Sequence, residues 1–273
     1  NRISDRYSTV GGGLGNTAGN GNEDLTDAQY ATVAGGVDNT ASGLGSTVSG
    51  GEKNLASGSF STIPGGFGNK ADGNYTFAAG HRANIDATHP GTFLYADSND
   101  NNFDSKAANE FAVRATGGVR FVTGIDALGS PQGGVKLEPG GSSWSFLSSS
   151  SIKANFSMVE GKMVLQRLSN VPIGTWNYKD QTPSIRHMGP QAEDFYTAFS
   201  LGGDERYIST IDLDGVALAA IQGLYQMVKE QQGQMIAQQR KIAILELEKA
   251  VQQEQMTILE GRLAKIEEVN GKK

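Results

Sequence analysis

The chain has no cysteine. That excludes disulfides, zinc-thiolate centres and cysteine nucleophiles, and leaves non-covalent association to hold the protein together, as suits a secreted protein. Histidine and tryptophan are scarce, at three and two in 273 residues, and no cofactor- or metal-binding pattern is expected. No apolar run approaches the roughly 18 residues that a membrane-crossing helix needs. An excess of positive charge is also missing: 23 basic against 29 acidic residues give a net charge of -6. No basic stripe exists to displace counterions, so nucleic acid is not an expected partner. The chain opens on Asn1 in polar sequence without a signal-peptide pattern and reads as a mature or truncated product.

Glycine is abundant but unevenly placed. Of 37 glycines, 19 lie in residues 1–91 and only Gly223, Gly233, Gly261 and Gly271 in the last 55. Two kinds of backbone therefore share the chain. The glycine-rich part is a repeat. Ala31-Thr-Val-Ala-Gly-Gly, Ser46-Thr-Val-Ser-Gly-Gly and Ser61-Thr-Ile-Pro-Gly-Gly start 15 residues apart and follow the pattern [AS]-T-[VI]-x-G-G-x-x-N-x-A-x-G. An earlier copy starts at Ser8 and is offset by an insertion around residues 23–29, and a degenerate one starts at Thr76.

Val33, Val48 and Ile63, each with an Ala eight residues later, keep a constant phase that a flexible linker has no reason to keep. A unit this short fits one turn of a β-solenoid, with two short strands, bends at the glycines, and Val/Ile and Ala pointing inward. On these residues, 7–98 resembles the head of trimeric autotransporter adhesins, through Ala78-Ala-Gly-His-Arg-Ala-Asn and Thr92-Phe-Leu-Tyr-Ala-Asp-Ser as closing turn and exit strand. The resemblance implies a left-handed parallel β-roll in which three chains lie side by side. Thr9, Thr32, Thr47 and Thr62 form a column, one per turn, that reads either as a ligand-binding ladder or as simple β-propensity.

Beyond the repeat, the oxygen-rich Asp97-Ser-Asn-Asp-Asn-Asn-Phe-Asp104 lacks the glycine and the acidic residue of a calcium loop and reads as an exposed polar turn. Glu110-Phe-Ala-Val-Arg-Ala and Gly118-Val-Arg-Phe-Val alternate apolar and polar residues, which predicts two strands around Thr116-Gly-Gly. Residues 133–143 read as a flexible joint.

The C-terminal third contains a seam. Leu224, Val228, Gln231, Met235, Gln238, Ile242, Leu245, Lys249, Gln252, Met256, Leu259, Leu263, Ile266 and Asn270 alternate spacings of four and three, with d at Leu224 and a at Val228. Lys241/Glu246 and Arg262/Glu267 stand as g-to-e' pairs for parallel chains. Such a helix is too long for a small domain to bury, and self-association is its natural use.

Between joint and seam, the residues predict helices near 161–169, 190–199 and from about 213, and strands at 173–178 and 184–188. The block 144–230 carries Trp176-Asn-Tyr-Lys, Arg186-His-x-Gly-Pro-x-Ala-x-Asp-Phe-Tyr and Asp214-Gly-Val-Ala-Leu-Ala-Ala-Ile-Gln-Gly-Leu. It closely resembles the endosialidase-type C-terminal intramolecular chaperone of phage tailspikes and fibres. The resemblance implies trimerisation during folding, followed by self-cleavage with a Ser-Lys dyad. Mapped onto this chain, the dyad is Ser148 and Lys153 and the scissile bond is Leu147–Ser148, with Ser149 where the motif has Asp. Arg186, His187, Gly189 and Pro190 belong to the family signature, and His187 is expected to hold packing through a hydrogen bond.

The fold class expected is thus a mainly β N-terminal half, a trimeric left-handed parallel β-roll, followed by an α+β chaperone domain and a long α-helical coiled coil. Its divisions are 1–98 (head), 99–143 (β connector), 144–223 (chaperone) and 224–273 (coil). The function expected is that of a homotrimeric extracellular fibre or adhesin-like protein on a cell surface or a phage virion. Its partners are its own copies and a surface glycan or matrix protein, and its only enzymatic activity is self-cleavage. The alternative is a tailspike acting on or binding glycans. Against that alternative, no carboxylate pair sits among aromatics in the first 140 residues, and Trp144 and Trp176 lie at or past the chaperone boundary.

Overall fold

A computed structural model describes residues 1–270. Residues 271–273 of the expected coil lie outside the described residues. The chain divides into two compact units, Asn1–Ala154 and Asn155–Lys273.

The first unit begins as a β-solenoid of about eight turns. Each repeat contributes a strand to each of two parallel sheets. One sheet has seven strands, running from Arg2–Ile3 to Phe103–Asp104, and the other has eight, running from Thr9–Val10 to Phe111–Arg114. Equivalent residues stack in register, Thr47 on Thr62 and Val48 on Ile63 in one sheet, Ala41 on Ala56 in the other. Val33, Val48, Ile63, Ala41, Ala56 and Ala71 are fully buried, which is the inward set that the repeat predicted. The core is a one-residue-wide column on each side, because strands of two residues present only one inward side chain each.

Such short strands supply few ladder bonds, and asparagines supply the rest. Asn16, Asn39, Asn54 and Asn69 are buried. Asn54 Nδ2 lies 3.0 Å from Gly50 O, 2.9 Å from Gly66 O and 3.0 Å from Asn39 Oδ1. Asn54 Oδ1 accepts the Asn69 backbone N–H at 3.0 Å. Each side chain thus closes its own Gly-Gly bend and ties it to the turns before and after. Only glycine fits the second bend position: Gly51 has φ +84°, and a Cβ there would stand 2.1 Å from Gly66 O. The insertion near residues 23–29 leaves this ladder unbroken, since Asn39 N still bonds Asn16 Oδ1 at 3.0 Å.

Two sequence expectations fail here. The solenoid does not close at Ser98: Phe111–Arg114 lies parallel on Phe93–Ala96 instead of pairing with the strand after Thr116-Gly-Gly. Leu94 and Ala112 continue the inner column and Phe93 and Phe111 the outer one, a stronger claim on the segment than a local hairpin. Nor are residues 133–143 a joint. Pro131–Leu137 is the middle strand of an antiparallel sheet, between Val119–Ile125 and Trp144–Phe146. Its glycines serve a bulged ladder, in which a Cβ on Gly134 (φ +136°) would meet Phe121 O at 2.1 Å.

The second unit holds α1 (Gly161–Leu168), a hairpin of Gly174–Trp176 with His187–Gly189, α2 (Ala192–Phe199) and α3 (Thr210–Asn270). α1 crosses α3 backbone to backbone, since a Cβ on Gly223 would stand 2.2 Å from Gly161 O. Lys162 Nζ reaches Glu230 Oε1 at 2.5 Å beside this crossing. The buried apolar set is small: Val171, Phe195, Val216, Ala219 and Ala220. Ile221, Leu224 and Tyr225 on the same helix are exposed.

Asn54→Ala leaves at least the Asn69 N–H and a bend carbonyl without their partners. At about 1–3 kcal/mol for each buried group stranded, the variant should lose roughly 2–5 kcal/mol in a denaturant titration. Asn54→Asp should lose more at pH 7, because a carboxylate would face the Gly50 and Gly66 carbonyls. An Asn54→Asp variant as stable as Asn54→Ala would refute this account of the ladder.

Candidate functional site

The solenoid presents two outer columns. Thr9, Thr32, Thr47 and Thr62 stack in register as expected, and the column continues into Phe77, Phe93 and Phe111. These rings stack face to face with centroids 4.8 Å apart at both steps. The outward face therefore changes from hydroxyl to aromatic at the fifth turn of this sheet.

A second column was not anticipated. Tyr7, Tyr30, Phe60 and Tyr75 are exposed and occupy equivalent corners, with Gly45 between Tyr30 and Phe60. All four aromatics have φ between 57° and 64°. That region costs a bulky L-residue on the order of 1 kcal/mol or more. Tyr7 stacks on Tyr30 (5.3 Å) and Phe60 on Tyr75 (5.6 Å), which offsets part of that cost. The signal was present in the sequence: the residue before each of the four [AS]-T-[VI] starts reads Tyr, Tyr, Gly, Phe, and Tyr75 precedes the degenerate copy at Thr76.

At the last turns, Arg114 occupies the place that a cation would take in the Asp97-to-Asp104 loop. Its Nε donates to Asp97 Oδ1 (2.8 Å), Nη1 to Asn101 O (2.6 Å) and Nη2 to Asn99 O (2.9 Å). The Thr116 N–H and hydroxyl bond Asp97 Oδ2 at 2.8 and 2.7 Å. Asp97 is held far below the ordinary carboxylate range, chiefly by the Thr116 hydroxyl, then by the Thr116 N–H, with Arg114 also contributing. No group of three or more His, Cys, Asp or Glu side chains comes together among the described residues.

Ser148 and Lys153 lie on either side of a 3-10 turn, Ser150–Ile152, and Lys153 Nζ donates to Ser148 Oγ at 2.6 Å. Ser149 is the N-cap of that turn, its hydroxyl accepting from Ser151 N at 3.2 Å. Serine and aspartate cap about equally well, so the residue that departs from the motif still performs a task Asp could perform. Both Ser148 and Lys153 are exposed in the single chain. Leu147 immediately follows the strand Trp144–Phe146, so hydrolysis after it would leave that three-stranded sheet whole.

In the hairpin of the second unit, His187 Nε2 is 2.8 Å from Gln181 Oε1, and its ring lies 4.8 Å from Trp176 and 5.5 Å from Tyr178. Arg186 Nη2 donates to Thr175 O and Oγ1 at 2.5 and 2.8 Å. Gly189 pairs with Gly174, and Pro190 lies between that strand and α2. These residues brace two strands. On α3, the apolar seam positions from Leu224 to Ile266 are 42 to 61% exposed.

One family model matches the chain: the ubiquitous surface protein adhesin repeat, over residues 46–58. The match covers one repeat unit, from the Ser46-Thr-Val start through the Gly-Gly bend to Gly58. No curated protein and no solved structure matches the chain. The repeat supports an adhesin-like surface protein.

Because Asp97 titrates lower in the fold than the roughly 3.9 of an unfolded aspartate, its contribution to stability is complete above that value. It is lost as pH falls toward the folded-state pKa. Asp97→Asn should therefore lower the melting temperature at pH 7, and the gap to wild type should shrink by pH 2. A gap that stays constant over this range would show that the carboxylate charge contributes nothing.

Proposed function

We propose that the protein is a homotrimeric, extracellular adhesin-like fibre whose second unit assembles it, and that this unit can be released by self-cleavage. The observation that carries the adhesin reading is the surface-adhesin repeat in a solenoid with a half-buried threonine column and an exposed aromatic one. For a head of this kind, the partner is a surface glycan or a matrix protein.

The trimer follows from the second unit under this reading. Among the described residues its buried apolar set is five side chains, too few for a stable fold by itself, while a heptad seam of nine apolar positions lies open along α3. Burying a large aliphatic side chain contributes about 1.5–3 kcal/mol, so three chains joined along this seam gain far more than the isolated unit holds. Nucleating three chains at the coil also removes the slow search of long-range parallel β pairing in the solenoid.

Self-cleavage fits the same order of events. Ser148 is the nucleophile and Lys153 the base: the amine takes the hydroxyl proton, Oγ attacks the Leu147 carbonyl carbon, and the peptide bond to the Ser148 nitrogen breaks as that nitrogen is protonated. The resulting ester is then opened by water. A lysine acts as base only where its surroundings exclude water and favour the neutral amine. In this reading the neighbouring chains supply that cover, so cleavage waits for assembly.

Native and denaturing masses test both statements. The expected native mass is three chains, and the denaturing run should show a cut before Ser148 that Ser148→Ala and Lys153→Met abolish. A native mass of one chain would overturn the trimer. One denatured species of 28.8 kDa from a trimeric preparation would remove self-cleavage and leave the fibre reading intact.

A further inference from the structure

We propose that the outward face of α3 is a second self-recognition surface, which joins two assembled coils antiparallel about Leu247. The inference rests on the trimer reading, in which the a and d positions are consumed inside the coil. Set in the same heptads, the b, c and f positions point away from that seam. On an ordinary coiled coil they are polar. Here five of them are large and apolar: Ile236, Ile244, Leu247, Val251 and Ile258 are all exposed, Leu247 most of all at 69%.

The central column of this face identifies its occupant. At successive f positions stand Gly233, Arg240, Leu247, Glu254 and Gly261. The order is symmetric about Leu247 except that the charges are opposite. Two antiparallel copies therefore set Leu247 on Leu247 and each Arg240 level with the partner copy's Glu254. Two parallel copies would set Arg240 on Arg240 and Glu254 on Glu254, which repel. Neither residue can satisfy its charge on its own helix. Three and four residues from Arg240 lie Ala237, Ala243, Ile236 and Ile244, and around Glu254 lie Ala250, Val251, Thr257 and Ile258.

The flanks agree with an isologous two-fold contact. Ile244, Val251 and Ile258 line one side of the f column; the other carries Ala243 and Ala250 beside the centre, with Ile236, Thr257 and Ala264 further out. In the antiparallel pair, the bulky flanks meet on one edge and the alanines on the other, where two helices can approach at the short end of the usual 8–10 Å range. Glu246 and Glu248 border the centre and approach their own counterparts, which keeps the association reversible.

The test is the mass of the intact chain by sedimentation equilibrium in a Ser148→Ala background, so that the coil stays attached. Wild type should associate beyond three chains at raised concentration, first to six and then in further units of three, because each trimer carries three such faces. Arg240→Glu and Glu254→Arg should each weaken the step from three to six about tenfold or more, and the double exchange should restore it. Because the chain lacks cysteine, Leu247→Cys should also form a disulfide between trimers on oxidation.

A wild type that stays at three chains would overturn this proposal and leave the trimer standing. Two chains that the single exchanges dissociate and the double exchange restores would support the outward contact while overturning the trimer. One chain would overturn both. Single exchanges without effect on a six-chain species would overturn the antiparallel register.

Discussion

The repeating turns of the first unit depend on one hydrogen-bonding arrangement, the buried asparagine column. A strand of two residues cannot hold a sheet by its ladder bonds alone, and a core of one Val or Ile and one Ala per turn buries little apolar area. The asparagine amide solves both problems by bonding in two directions, across its own bend and along the stack. It succeeds only because the bends are glycine. A side chain at Gly36, Gly51 or Gly66 would fill the space through which the amide reaches the next carbonyl, or strike that carbonyl directly. Asparagine and glycine are therefore one device, and the 15-residue period is the contour length of one turn that this device closes.

The second unit inverts this economy. Among the described residues it has no repeating polar column, and where α1 crosses α3, Gly161 against Gly223, the contact is backbone on backbone. Small residues there let α1 approach α3 closely, but they contribute almost no apolar area of their own. What the unit has instead is apolar surface left open on α3. A fold can be specific in its crossings and still bury little apolar area in its core. The solenoid repeats one buried set along its axis, whereas the helical unit leaves most of the large apolar side chains of α3 exposed.

This contrast explains how much could be read from the chain in advance. A periodic constraint writes itself into sequence: the inward Val, Ile and Ala, the bends and the threonine column were all visible as phase. So were the three helices of the second unit. What escaped was set by contacts without a period. Phe111–Arg114 looked like half of a hairpin because its true partner, Phe93–Ala96, lies a turn away in space. Gly133 and Gly134 looked like a flexible joint because a glycine required by a bulge and a glycine in a linker are the same letter. The Asp97-to-Asp104 segment is a polar loop only up to Phe103–Asp104, which forms the last strand of the seven-stranded sheet, and the loop's organiser, Arg114, is 17 residues from Asp97. The aromatic corner was legible in principle, and it was passed over because tyrosine and phenylalanine are not expected at positive φ.

That corner bears on what the outer surface is for. A backbone position that glycine fills without cost, as Gly45 shows, is filled by a ring at Tyr7, Tyr30, Phe60 and Tyr75. Stability alone does not favour that choice, since each ring adds strain and remains largely in water. Stacking recovers part of the strain within the pairs Tyr7/Tyr30 and Phe60/Tyr75, and it fixes their orientation: ring faces are turned along the solenoid axis and ring edges outward. A ligand approaching from the side thus meets hydroxyls and C–H edges, not open π-faces, the opposite of a surface built to stack sugars face-on. The threonine column offers the same chemistry, short hydroxyls at a regular rise. The lateral surface of the first turns is for that reason a ladder of side-chain hydroxyls and ring edges set one turn apart along the solenoid axis.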